Sequence, residues 1–329
     1  MLFDHRIASD RGADFVALAP AGDETILHIT PACTDRPVVG DWVAADGARV
    51  AAIAPRRGVL ARARGSLPRA CRGDRGATAQ PIAANLDVVF IVTAPGREFS
   101  PPRVERYLVA VRAAGAQAVI VLNKCDLARD AAGLVAELYA ISGDPSTSSG
   151  QAVAVVAISA EYGDGCDALD AYLVAGTTLA LVGSSGVGKS TLANRLLGAD
   201  RFATRATRPS DGRGTHTSTR RELVALPCGA WLVDTPGMRA FAPWSGEDAL
   251  DEVFADVADA ASRCRFRDCA HEREPGCAVR AEIGAGRYER WRALRAELAY
   301  LDRRDDPAAL AREKRRWKSI TKAQRSHDR

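Results

Sequence analysis

Gly183-Ser184-Ser185-Gly186-Val187-Gly188-Lys189-Ser190 follows the pattern G-x-x-x-x-G-K-[ST], with an apolar run before it and a helical pattern after it. Glycines let a backbone curl until successive N–H groups converge on phosphate oxygens, and the helix start adds its dipole. In such a loop Lys189 reaches the β- and γ-phosphates. The Ser190 hydroxyl ligates Mg²⁺, and Thr191 helps hold the α-phosphate. That pattern serves ATP and GTP alike. The choice between them rests on Asn123-Lys124-Cys125-Asp126. The Asp126 carboxylate can accept from both N1–H and the exocyclic amine of guanine. Adenine has no donor at either place, and a site left with unpaired acceptors rejects it. Lys124 can cover the base plane, Asn123 can tie strand ends together, and Cys125 offers backbone. A backbone N–H of Ser159-Ala160 can donate to the guanine carbonyl.

A second group of residues points to magnesium and to switching. Trp231-Leu232-Val233 is an apolar strand that runs into Asp234-Thr235-Pro236-Gly237. Asp234 would hold Mg²⁺ through a water, and the Gly237 N–H can sense the γ-phosphate. Upstream lies Gly214-Thr215-His216-Thr217-Ser218-Thr219. A threonine there can complete the Mg²⁺ shell with GTP bound and let go after hydrolysis, and Thr217 and Thr219 both remain candidates. Met238 follows Gly237, where many small GTPases place a glutamine that orients the attacking water. A thioether cannot orient water, so His216 becomes the candidate catalytic residue.

The third group is Cys264-x4-Cys269-x-His271-x5-Cys277. Three thiolates and one imidazole fill a tetrahedral Zn²⁺ shell and leave no open position, so this zinc should be structural. The remaining cysteines, Cys33, Cys71, Cys125, Cys166 and Cys228, are scattered, which speaks against a disulfide framework.

The elements that must position these groups fall into three predicted domains. Residues 1–80 read as an all-β barrel, with short strands at Phe15–Leu18, Thr25–Ile29, Asp41–Ala44 and Arg49–Ile53 between Gly-rich turns. Arg56, Arg57, Arg62, Arg64, Arg69, Arg72 and Arg75 then form a basic stretch, expected to be an exposed loop. Residues 81–241 alternate strand and helix. Strands are expected at Leu86–Thr93, Ala118–Leu122, Val153–Ile158 and Thr178–Val182, and helices at Arg103–Ala114, Ala131–Ile141, Asp167–Val174 and Lys189–Leu197. That alternation implies a mostly parallel α/β sheet covered on both faces. The Ser/Gly-rich stretch 142–150 is expected to be a loop. Residues 242–329 read as mainly helical around the Cys/His cluster.

Composition agrees with a folded, membrane-free protein: 47% of residues are hydrophobic and 26% charged, with no apolar run long enough to span a bilayer. The start carries Asp4, His5, Arg6, Asp10 and Arg11 rather than an apolar signal core, so a cytoplasmic location is expected. Formal net charge is +4, and Arg312–Arg329 alone holds eight basic and two acidic residues. The body is therefore near neutral and the tail is suited to a local polyanion.

The motif order is base loop, Ser-Ala turn, phosphate loop, switch threonines, Asp-x-x-Gly. Ordinary GTPases place the phosphate loop first, so this is a circular permutation. With Gly40-Asp41-Trp42-Val43 and Asn85-Leu86-Asp87 added, the chain resembles the RsgA/YjeQ family of small-ribosomal-subunit-dependent GTPases over nearly its whole length. The resemblance implies an N-terminal OB-fold, a permuted G domain and a zinc domain. It implies GTP/GDP and Mg²⁺ as ligands, and the small ribosomal subunit with its rRNA as partner. It further implies a role in late maturation of that subunit, with turnover stimulated by it. The family's switch histidine maps onto His216, and Ser218 stands where the family commonly has threonine. A monomer is expected. The competing reading is a GTP-regulated RNA-binding assembly factor with negligible turnover. An ATP-using kinase conflicts with Asp126.

Overall fold

The computed structural model describes residues 4–10, 14–18, 24–29, 35–63, 79–142, 153–202, 222–234 and 247–305. They form two compact units, one within 1–62 and 81–242, the other within 63–80 and 243–329. Among the described residues no helix is long and apolar enough to cross a membrane.

In the first unit, strands β1 (His5–Asp10), β2 (Asp14–Leu18), β3 (Glu24–Ile29), β4 (Trp42–Asp46) and β5 (Arg49–Ile53) pair in the order β1-β2-β3-β5-β4. A β1–β4 pairing closes the barrel, and only β3–β5 is parallel. Its interior is filled by Ile7, Phe15, Ala17, Leu27, Val43 and Val50, all fully buried. A small β-barrel is expected from the turn spacing, and four of these five strands are legible in the sequence. Strand β1 was not legible, because His5-Arg6-Ile7-Ala8-Ser9-Asp10 reads as polar. Arg6 and Ser9 are nevertheless buried, since β1 also pairs with a strand of the neighbouring sheet. Strands β6 (Val59–Ala63) and β7 (Ala79–Ala84) pair as a separate two-stranded sheet, so the predicted basic loop begins as a strand. Residues 64–78 lie outside the described residues.

Strands β8 (Val88–Thr93), β9 (Gln117–Leu122), β10 (Ala154–Ala157), β11 (Thr178–Val182), β12 (Glu222–Ala225) and β13 (Trp231–Asp234) form a sheet of order β10-β9-β8-β11-β13-β12. All neighbours are parallel except β12–β13. β8 is buried at every position, as a covered parallel strand must be. Helices α1 (Pro101–Ala113), α2 (Ala131–Ser142) and α3 (Lys189–Leu197) follow β8, β9 and β11. The helix expected over Asp167–Val174 is instead a 3-10 helix over Cys166–Tyr172. The reason is its apolar spacing. Cys166, Leu169 and Tyr172 recur every third residue and all pack on the sheet core, which suits a three-residue turn better than a 3.6-residue one.

The Gly40-Asp41-Trp42 and Asn85-Leu86-Asp87 segments join barrel to sheet. Gly40 has φ +92°, and a Cβ there would lie 2.2 Å from the Ala84 carbonyl oxygen. Asn85 donates to the Gly40 carbonyl (3.1 Å) and accepts from the Arg57 N–H (2.9 Å), while Asp87 accepts from the Thr178 N–H (2.8 Å). Arg6 donates to the Thr178 hydroxyl and lies over the rings of Trp42 and Trp231. Burial, opposed by the Asp87 charge, lowers its pKa.

The second unit contains α4 (Glu247–Val253), α5 (Ala255–Ser262), α6 (Ala278–Glu282) and α7 (Ala285–Asp305). Residues 306–329, with the basic tail, lie outside the described residues.

Candidate functional site

The parallel sheet delivers three loops from the carboxyl ends of β10, β9 and β11, with β8 between the last two, the place where open α/β sheets bind ligands. β9 ends in Asn123, β10 in the Ser159-Ala160 turn, and β11 in the phosphate loop. Asn123, 1% exposed, is the junction of all three. Its Nδ2 donates to the Val187 carbonyl (2.8 Å), and its Oδ1 accepts from the Ala160 N–H (2.9 Å). Lys124 sits in the left-handed region at φ 64°, a conformation costing about 1–3 kcal/mol for a side-chain-bearing residue. Its Nζ donates to the Gly186 carbonyl (2.7 Å). Asn123 and Lys124 of the expected base loop and the Gly-rich loop, some sixty positions apart in sequence, are thus bonded side chain to backbone.

Within the phosphate loop Gly183 and Gly188 hold positive φ for a packing reason. A Cβ on Gly183 would lie 2.2 Å from the Val92 carbonyl oxygen, and one on Gly188 would lie 2.3 Å from Asn123 Nδ2. The Lys189 ammonium lies among the loop carbonyls, donating to Gly183 (2.7 Å) and Ser184 (2.6 Å). Ser190 and Thr191 occupy the first turn of α3, half-buried, with their N–H groups at the positive end of the helix. Ser184 donates to the Glu98 carboxylate, a contact from the segment after β8 that no sequence motif announces. Ser185 is exposed beside it.

At the base end, Asp126 is exposed and its Oδ1 accepts from the Ser159 hydroxyl (2.6 Å), which fixes the carboxylate's direction. Cys125 contributes backbone, its N–H donating to the Ile158 carbonyl (3.0 Å). Burial pushes its thiol pKa up, so it is a poor nucleophile. The Ser159-Ala160 turn, expected to offer a backbone N–H to the base carbonyl, has both N–H groups engaged within the protein, Ser159 by the Asp164 carbonyl (2.9 Å) and Ala160 by Asn123 (2.9 Å).

Asp234 ends β13, which pairs with β11 and so comes down beside the phosphate-loop strand. His216, Thr217, Thr219, Gly237 and Met238 lie outside the described residues.

In the second unit the ligand atoms of Cys264, Cys269, His271 and Cys277 all lie within 4.8 Å of one another. Cys264 and Cys277 Sγ are 4.0 Å apart, and each is 3.5 Å from His271 Nδ1. Four ligands at zinc bond lengths stand about 3.6–3.8 Å apart in a tetrahedron, close to the separations found, so the donor set fits a metal ion. His271 takes φ 61° to turn Nδ1 inward, and the Tyr288 hydroxyl holds its carbonyl (2.5 Å). Burial lowers the His271 pKa, which favours the neutral, ligating imidazole. The Cys269 thiol is pushed up to about 11, by burial first and then by its thiol neighbours.

Some arginines of basic stretches are spoken for by acids. Arg56 forms a bidentate pair with the fully buried Asp41 (2.8 and 2.7 Å). Arg263 pairs with Asp259 (2.8 Å) and Glu282 (2.5 Å).

Comparison with known proteins gives a consistent result. The curated "Small ribosomal subunit biogenesis GTPase RsgA" of Opitutus terrae is 44% identical over 344 residues, covering 98% of this chain and 91% of that protein. The protein of the same name from Xylella fastidiosa strain M23 is 49% identical over 253 residues, covering 77% and 71%. Among solved structures, YjeQ from Thermotoga maritima matches with TM-score 0.62 and 25% identity, covering 90% of this chain and 98% of that one. YloQ, described as a circularly permuted GTPase, shares the fold at TM-score 0.57 and 22% identity, covering 90% and 94%. Residues 53–244 match the model of the RsgA GTPase family, and with sheet order, permuted loops and whole-chain relatives in agreement, this chain belongs to that family.

Proposed function

We propose that this protein hydrolyses GTP to GDP and phosphate during late maturation of the small ribosomal subunit, and that contact with the subunit's rRNA stimulates it. The observation that carries this reading is the pair of bonds from Asn123 and Lys124 to the backbone of the phosphate loop. They make one pocket of a guanine-reading end and a phosphate-gripping end. Asp126 accepts from the base, with Asn123, Lys124, Cys125, Ser159 and Ala160 framing it. Gly183 to Gly188 wrap the phosphates, Lys189 neutralises their charge, and Thr191 holds the α-phosphate. Ser190 and Asp234 are the Mg²⁺ ligands. Held there, Mg²⁺ would offset the negative charge that develops on the phosphates during transfer. Thr217 or Thr219 and Gly237 respond to the γ-phosphate, and His216 orients the attacking water in place of the glutamine that Met238 replaces.

Cys264, Cys269, His271 and Cys277 hold one structural Zn²⁺, which stabilises a unit with little core of its own. With Arg56, Arg57 and Arg263 in ion pairs, rRNA contact falls to the arginines of the 62–75 stretch and to the basic tail. Phosphate contacts of this kind give affinity and position rather than sequence readout.

The test is GTP turnover with and without purified small subunits. Strong stimulation that His216→Ala removes, with GTP affinity retained, supports the reading. Equal near-zero rates favour the alternative, a GTP-regulated RNA-binding assembly factor, which Met238 by itself would suggest.

A further inference from the structure

Helix α3 starts in the phosphate loop and carries Arg195 in its last turn. Among the described residues the guanidinium pairs with no acid. Its Nε donates to the Ala160 carbonyl (2.6 Å) and its Nη2 to the Glu161 carbonyl (2.8 Å), gripping the turn after β10. Gly163 makes room for it: a Cβ at that position, where φ is +99°, would lie 2.7 Å from Nη1. The turn is wound tightly on itself by Gly163 N–H to Ser159 carbonyl (2.7 Å) and Ser159 N–H to Asp164 carbonyl (2.9 Å).

The other face of this turn holds the base-reading residues. Ser159 Oγ donates to Asp126 (2.6 Å), and the Ala160 N–H donates to Asn123 (2.9 Å). Arg195 therefore holds the carbonyls of the same short turn that aims the Asp126 carboxylate. We propose that Arg195 is a positioning residue for base discrimination: from the helix that begins at the phosphates, it fixes the turn that orients Asp126 and Asn123. This rests on the reading of Asp126 as the acceptor for guanine. A planar two-donor group suits two consecutive carbonyls, and an ammonium can supply two donors less rigidly. An apolar side chain of equal length supplies none.

The experiment measures the affinities of GDP, IDP and ADP for the full-length protein by calorimetry, in wild type, Arg195→Met, Arg195→Lys and Gly163→Ala. IDP lacks only the exocyclic amine that Asp126 reads. Arg195→Met is expected to shrink the GDP-over-IDP preference by about tenfold, the scale of one charge-assisted hydrogen bond. IDP affinity, which rests on the phosphate loop, should change less than about threefold. Arg195→Lys should restore part of the preference. Gly163→Ala should lose it with Arg195 in place, because the new Cβ displaces the guanidinium. Equal weakening of all three nucleotides, or an unchanged GDP-over-IDP ratio in Arg195→Met, overturns the proposal. A wild type that holds GDP, IDP and ADP alike overturns the base-site reading itself, and is told apart because it needs no variant.

Discussion

Asn123→Ala tests the junction on which the site depends, and it does so without any ligand. The side chain is 1% exposed and satisfies two backbone groups in different loops, the Val187 carbonyl and the Ala160 N–H. Truncation leaves both buried without their partner, and each such group costs about 1–3 kcal/mol. Partial relaxation and the carbonyl's tolerance of a lost bond place the net loss at about 3 kcal/mol. In a unit of this size each kcal/mol moves the melting temperature by about 2–4 °C, so a fall of about 6–12 °C is expected. The assay is calorimetry on nucleotide-free protein, since bound nucleotide would stabilise the folded state by mass action and mask the difference. Lys124→Ala is the internal comparison. Its bond to the Gly186 carbonyl is only partly buried, so water replaces it at a cost of about 0.5–1.5 kcal/mol. If Asn123→Ala melts within about 2 °C of wild type, or no lower than Lys124→Ala, the two loops are not joined as argued.

Asp126→Asn replaces an acceptor-only group by an amide and should weaken GDP by about a hundredfold or more while improving xanthosine diphosphate; retained guanine preference in a titration would remove Asp126 from the base site. Arg56→Ala leaves the fully buried Asp41 carboxylate without its bidentate partner and should cost about 3 kcal/mol in urea unfolding, with Asp41→Asn milder because the guanidinium left behind still reaches solvent; equal and negligible effects would show that the pair is not a brace. For the metal cluster, the Cys269 thiol raised to about 11 is protonated at neutral pH in the metal-free protein, so Zn²⁺ binding must release protons. Affinity measured against a competing chelator should therefore rise from about pH 6 to 8, and metal removal should lower the second unit's melting temperature; pH-independent affinity would exclude thiolate ligation.

Much of this was legible because the chemistry demands particular residue types at fixed spacing. A loop that wraps phosphate needs glycines where Gly183 and Gly188 stand. A four-ligand cluster announces itself through Cys264, Cys269, His271 and Cys277. What was not legible depends on long-range burial. β1 is polar by composition, and only its place between two sheets makes Arg6 and Ser9 interior residues. Arg56 looked like one more arginine in a basic run until Asp41 met it. Glu98 and Arg195 carry no motif, because a side chain that reaches a carbonyl or hydroxyl on another loop needs no particular neighbours in sequence. The 3-10 helix over Cys166–Tyr172 was hidden by a period of three that is easily read as 3.6.

The permutation leaves the site intact because a parallel sheet fixes its loops by strand position, whatever order the chain visits them. β9, β8, β11 and β13 stand side by side, so their carboxyl ends converge however they are connected. Chain order changes instead what lies at the other end of those strands. Here the start of β11 is held by Arg6 on the Thr178 hydroxyl and by Asp87 on the Thr178 N–H, and the barrel meets β12 through Ser9 and Glu222. The phosphate-loop strand is thereby anchored at its entry by the barrel and at its exit by Asn123. A strand fixed at both ends cannot move far when the γ-phosphate leaves. The chain that leaves β13 at Asp234 runs on in sequence into the unit carrying the metal cluster. The permuted order thus places the Asp-x-x-Gly segment, rather than the phosphate loop, on the covalent path to the C-terminal unit.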